Sequence, residues 1–175
     1  MKTTISRFDE FLRKEKLRFE GVVIGGAALI ILDVISRFTE DVDFLYPKIP
    51  EDVLAAAQAF AKQNPRLRLK ENWFNNGPES LIRDLPDNWQ TRLQVLYRGR
   101  ALKLSTLGRS DLLKTKLFAY CDRQEDIEDC IALAPVLEEL KEALDWLMKR
   151  DSNPLWPKHC ETSLRLLAKR LGYDW

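Results

Sequence analysis

The spacing of apolar residues changes period several times along the chain, and each change marks an element. Ile5, Phe8, Phe11 and Leu12 recur at helical spacing and predict an amphipathic helix over 4–16. Arg18 to Ile24 reads as a strand. Gly26 to Ser36 reads as a helix whose all-round hydrophobicity demands burial. Val42 to Tyr46 is a second strand, stopped by Pro47. Pro50 opens a helix over 51–62 with acids in its first turn. After Asn64-Pro65, Leu67 and Leu69 alternate with Arg66, Arg68 and Lys70, the pattern of a half-exposed strand over 66–74. Asn75-Asn76-Gly77-Pro78 reads as a loop and 79–85 as a helical turn. Residues 91–97 and 101–105 form a hairpin around Arg98-Gly99-Arg100.

From Ser110 the period is helical throughout. One helix covers 111–121. Asp122 with Glu125 has the form of a capping box that restarts a helix through Leu133. Pro135 opens another to about Arg150, and the loop 153–157 precedes a last helix over 159–171. The chain therefore divides into an α/β (α+β) core, 1–107, and a helical C-terminal portion, 108–175, expected to pack on that core.

Apolar residues at 45% and charged residues at 31% describe a globular protein able to bury a substantial core. A net charge of +1 provides no global field for nucleic acid, so RNA contact would need a local patch. Cys121, Cys130 and Cys160 are odd in number and widely spaced, which suits reduced thiols and argues against structural zinc. His159, the sole histidine, reads as a loop or cap residue before the last helix. The longest apolar stretch, Gly21 to Leu32, is too short to span a bilayer, and no signal peptide is evident. The expected compartment is the cytoplasm.

Candidate chemistry concentrates in 19–47. Asp41 and Asp43 are one residue apart on a strand and so share a face. Two adjacent carboxylates repel and are costly to keep ionised without a counter-cation, and hard oxygen ligands of this kind suit Mg²⁺ or Mn²⁺. Gly25-Gly26 before a helix lets backbone N–H groups approach a phosphate. The plainer alternatives are a strand-to-helix turn for the glycines and a solvated strand end for the acids. Acids on an otherwise apolar strand break the local pattern, as functional residues do.

Gly-Gly, a spacer helix and Asp-x-Asp on the next strand resemble the signature of the DNA polymerase β-like nucleotidyltransferase superfamily. Arg37-x-Thr39-x-Asp41-x-Asp43 is similar to its minimal bacterial branch, which includes the toxins of type IV toxin–antitoxin and abortive-infection systems. Lys116-Leu117 followed by Arg123-x-x-Asp126-x-x-Asp129 resembles the C-terminal motif of that branch. The resemblance implies a mixed sheet flanked by helices and transfer of a nucleoside monophosphate from a nucleoside triphosphate. The acceptor would be an RNA (tRNA-like) or a protein, and the partner an antitoxin protein. It casts Asp41 and Asp43 as metal ligands, and Asp41, Asp43 and Lys116 as the catalytic set. Gly25, Gly26, Arg37, Thr39, Arg123 and Asp126 would then bind nucleotide. A C-cap for Arg37, a turn role for Thr39 and a solvated surface for Lys116 remain open. Competent superfamily members carry a third carboxylate on a later strand; 91–99 holds none, and Gln94 stands where one would be sought.

Arg66, Arg68, Lys70, Arg98 and Arg100 suit either RNA phosphates or protection of a sheet edge. Trp73, Phe74 and Trp89 suit either base stacking or core packing.

Overall fold

The computed structural model describes residues 1–124 and 126–175. The chain splits into two compact units, Met1–Gly108 and Arg109–Trp175. The first holds helix α1 (Lys2–Lys14), strand β1 (Phe19–Ile24), helix α2 (Gly25–Ile31), strand β2 (Val42–Tyr46) and helix α3 (Glu51–Gln63). Strands β3 (Phe74–Asn75), β4 (Gln94–Arg98) and β5 (Leu102–Thr106) complete it. Among the described residues these strands make one mixed sheet, ordered β3-β2-β1-β5-β4. β1 runs antiparallel to β2 and parallel to β5, β2 parallel to β3, and β4 antiparallel to β5. The expected α/β class with a mixed sheet flanked by helices is what the chain adopts.

The core of this unit is aromatic. Phe8 of α1, Phe60 of α3, Trp73 and Phe74 meet with ring centroids 5.1–5.9 Å apart, and Phe19 and Phe44 join them from β1 and β2. Trp73 is fully buried, and its indole N–H donates to the Ala57 carbonyl at 2.9 Å. Trp73, Phe74 and Trp89 are therefore core residues, not a stacking platform.

Three expected elements differ. The helix after the glycines ends at Ile31, where Asp33 takes a left-handed φ of 60°; seven residues exhaust the buried apolar run. The basic segment 66–74 is not a strand: Pro65–Leu67 is a 3₁₀ turn, Arg68 is left-handed, and pairing begins only at Phe74. Its alternation arises because the turn exposes Arg66 and Arg68, with Leu67 half-buried between them. The first hairpin strand begins at Gln94, after a 3₁₀ turn over Trp89–Arg92.

The hairpin is fastened by a residue far away in sequence. Asp9, buried on α1, accepts backbone N–H bonds from Arg100 at 3.2 Å, Ala101 at 2.8 Å and Leu102 at 2.7 Å. Its carboxylate fills the space where a side chain at Gly99 would lie.

The second unit holds α4 (Arg109–Arg123), α5 (Ile127–Ala132), α6 (Leu137–Leu147) and α7 (Trp156–Arg170). The capping box expected from Asp122 and Glu125 rests on Glu125, which lies outside the described residues; α5 starts later, behind a left-handed Asp126. His159 lies inside α7 rather than in a loop, its Nε2 2.7 Å from the Cys121 carbonyl. All three cysteines are unbonded and buried. Burial raises the Cys130 thiol to about 12, which leaves it unreactive at neutral pH.

Removing a buried carboxylate that holds three amides strands all three. Asp9→Ala is expected to cost about 3 kcal/mol, read as a fall of several degrees in thermal midpoint. Gly99→Ala should fall similarly, because its methyl group would displace the same carboxylate.

Candidate functional site

Register places the acids. Ile24, the last residue of β1, pairs with Asp43 of β2, so the Gly25 turn begins directly beside the Asp43 carboxylate. Gly25 has φ +74°, a left-handed conformation that a side chain disfavours. A Cβ there would also sit 3.1 Å from Asp43 Oδ2. At Gly26 a Cβ would meet Arg37 Nη2 at 3.3 Å, so the guanidinium lies over the glycine turn. Gly25, Gly26, Arg37 and Asp43 are thus brought together by one strand-turn-helix and the return of the chain into β2.

Each acid is held by donors on its flanks. Thr39 Oγ1 donates to Asp41 Oδ1 at 3.0 Å, and the Lys70 ammonium donates to Asp41 Oδ2 at 3.0 Å. Lys70 also lies 3.7 Å from Glu40 Oε2. The Asp41 carboxylate, through its hydrogen bond and its charge, raises the Lys70 pKa and keeps the ammonium protonated. Asn75 Nδ2 donates to Asp43 Oδ1 at 3.0 Å, while Asn75 Oδ1 accepts the Gly77 N–H at 2.6 Å. Asn76 fixes the exit of β2, donating to the Phe44 and Pro47 carbonyls at 3.1 and 3.0 Å.

Lys70, Asn75 and Asn76 were not singled out for this role in the sequence. Lys70 reads there as one of three basic residues on a supposed edge strand, and the asparagines read as turn formers. The available signal was Asn-Asn-Gly-Pro following a buried Trp-Phe pair. Phe38, 63% exposed between Arg37 and Thr39, presents an aromatic face to solvent. Gln94 is placed at the start of β4, at the opposite edge of the sheet from β2 and β3, and Asn75 is the residue beside Asp43.

Among the described residues no group of three or more His, Cys, Asp or Glu side chains is arranged to hold a metal. Mg²⁺ asks less, one or two carboxylates with the other ligands from substrate phosphates and water, and Asp41 and Asp43 are the carboxylates here that could supply them. Asp41 already pairs with one cation, the Lys70 ammonium.

The C-terminal motif forms its own cluster. Lys116 of α4 is only 5% exposed; its ammonium donates to Asp129 at 2.7 Å and lies 3.4 Å from Asp126. Arg123 lies 3.8 Å from Asp126. Lys116 is therefore not on a solvated surface, and its ion pairs join α4 to α5.

The fold and the acid pair beside a glycine turn define a nucleotidyltransferase-like domain. The chain belongs to a family described as nucleotidyltransferase of unknown function (DUF6036), which matches residues 2–151. Neither the curated proteins nor the solved structures give a match. Among the described residues no helix is long and apolar enough to cross a membrane.

Gly25→Ala is expected to lower stability by roughly 1–2 kcal/mol from its left-handed backbone alone, seen as a drop of a few degrees in thermal midpoint. In the other unit, Lys116→Ala removes the cation held against the buried Asp129 carboxylate, at about 3–5 kcal/mol. Lys116→Met with Asp129→Leu should regain much of that loss in a denaturant titration, because burying two apolar groups avoids the uncompensated charge.

Proposed function

We propose that the chain transfers a nucleoside monophosphate from a nucleoside triphosphate to a hydroxyl of an RNA (tRNA-like) or protein acceptor. In this reading Asp41 and Asp43 hold Mg²⁺ or Mn²⁺, and the chain is a toxin component restrained by an antitoxin protein. One observation carries the reading: Asp43 stands against a side-chain-free turn with a guanidinium over it, and Asp41, two residues before it, is paired with a cation. When bound, the ion supplies charge neutralisation on the phosphates and activation of the acceptor oxygen.

The chain's own residues set the rest. Thr39 orients Asp41 and Asn75 orients Asp43. Gly25 and Gly26 keep the floor free of side chains, and Arg37 offers a fixed positive charge to a phosphate. With only seven residues, α2 contributes little dipole, so anion binding falls mainly to Arg37. Phe38 offers a face on which a base can stack.

A second reading, a nucleotide-binding or partner-docking module without chemistry, is favoured by Asn75 standing beside Asp43 where a further carboxylate would strengthen metal binding.

The deciding measurement is a thermal shift with each of the four nucleoside triphosphates plus Mg²⁺ or Mn²⁺, on wild type and Asp43→Asn. A ligand at a hundred times its dissociation constant stabilises by about 2.7 kcal/mol, a rise of several degrees. Metal-dependent stabilisation by one nucleotide, lost in the variant, is the expected result. Stabilisation without transfer to any acceptor supports a nucleotide-binding module without chemistry, and no shift with any nucleotide overturns the transfer reading and favours the partner-docking one.

A further inference from the structure

Lys70 is the residue of the N-terminal unit whose position the proposed chemistry leaves unexplained. It is half-exposed, on a segment with no helix or strand of its own, yet its ammonium is directed onto Asp41. That direction is built in. The Lys70 N–H donates to the Glu40 carbonyl at 3.3 Å, and the Val42 N–H donates to the Trp73 carbonyl. The parallel pairing then continues with Phe74 beside Val42 and Asn75 beside Asp43. One segment, 70–75, thus runs alongside 40–43 and delivers one donor to each acid, Lys70 at its start and Asn75 at its end. Trp73, fully buried between them, anchors the segment in the aromatic core.

From this geometry we infer that Lys70 is the resident counter-cation of the acidic pair, and that a divalent ion entering the site exchanges with it for Asp41. The inference rests on the metal reading of Asp41 and Asp43 given above. The asymmetry of the two donors supports it. Asn75 is neutral, sits in the sheet and has its amide oxygen fixed by Gly77, so it stays in place when charge arrives. Lys70 carries full charge at the end of a flexible four-carbon stem and can swing into solvent without moving the backbone. A divalent ion on Asp41 repels the ammonium beside it, so the exchange also opens the rim of the site to an anionic ligand.

The test uses the full chain and Mn²⁺ alone, with no nucleotide. Mn²⁺ affinity is measured by calorimetry on wild type, Lys70→Met and Asp43→Asn, and Lys70 acetylation is followed by mass spectrometry with and without Mn²⁺. Exchange predicts that Lys70→Met binds Mn²⁺ up to about fivefold tighter, the range set by a part-exposed ion pair. It also predicts that saturating Mn²⁺ speeds acetylation of Lys70 in wild type but not in Asp43→Asn, while labelling of the remote Lys103 stays constant. The labelling separates exchange from simple loss of a repelling charge, which would tighten Mn²⁺ binding without moving Lys70. Mn²⁺ bound by wild type with unchanged Lys70 labelling overturns the exchange and leaves the metal reading intact. No Mn²⁺ binding by either wild type or Lys70→Met overturns the metal reading and the exchange together.

Discussion

The N-terminal unit depends on its buried aromatic core, which places the donors around Asp41 and Asp43. Asp41 and Asp43 receive their donors from separate places in the chain. Thr39 acts from the preceding loop, Lys70 from a turn-rich segment and Asn75 from a two-residue strand. A part-exposed ion pair contributes at most about 1 kcal/mol, too little to order the segment that carries Lys70. Burial of Trp73 and Phe74 contributes about 1.5–3 kcal/mol each, so the aromatic core does the ordering and the polar contacts at the acids follow from it.

The parts of the fold that were legible in the sequence are those governed by local pattern. Val42 to Tyr46 was read with its bounds intact because apolar residues and a terminating proline define it. The acid pair stood out because it breaks that same pattern. The segment 66–74 was misread because a 3₁₀ turn and an exposed strand both alternate polar with apolar residues over four or five positions. Sequence order gives no strand order, so the hairpin looks like the place for a further acid; the sheet puts β4 at the far edge and Asn75 next to Asp43. Asp9 was invisible for a different reason, since its partners are backbone amides, which no residue type announces.

The C-terminal unit follows another economy of charge. Lys116 lies on a helix with other charged residues and looks interchangeable with Lys114 in sequence, but it is buried against Asp126 and Asp129. Helical periodicity alone does not separate these two lysines; α5 does, by bringing two acids to one of them. Charge in the N-terminal site meets solvent, whereas the Lys116–Asp129 pair is enclosed and ties helices together.

The bonds from Asp9 to Ala101 and Leu102 join residues 92 and 93 positions apart, and β1 has β5 as its parallel neighbour. A ribosome adding about 5–20 residues per second exposes α1 and β1 several seconds before that neighbour exists. During that interval one edge of β1 is open and the Asp9 carboxylate has no amides to receive. The nascent chain therefore completes its sheet late, when the hairpin emerges.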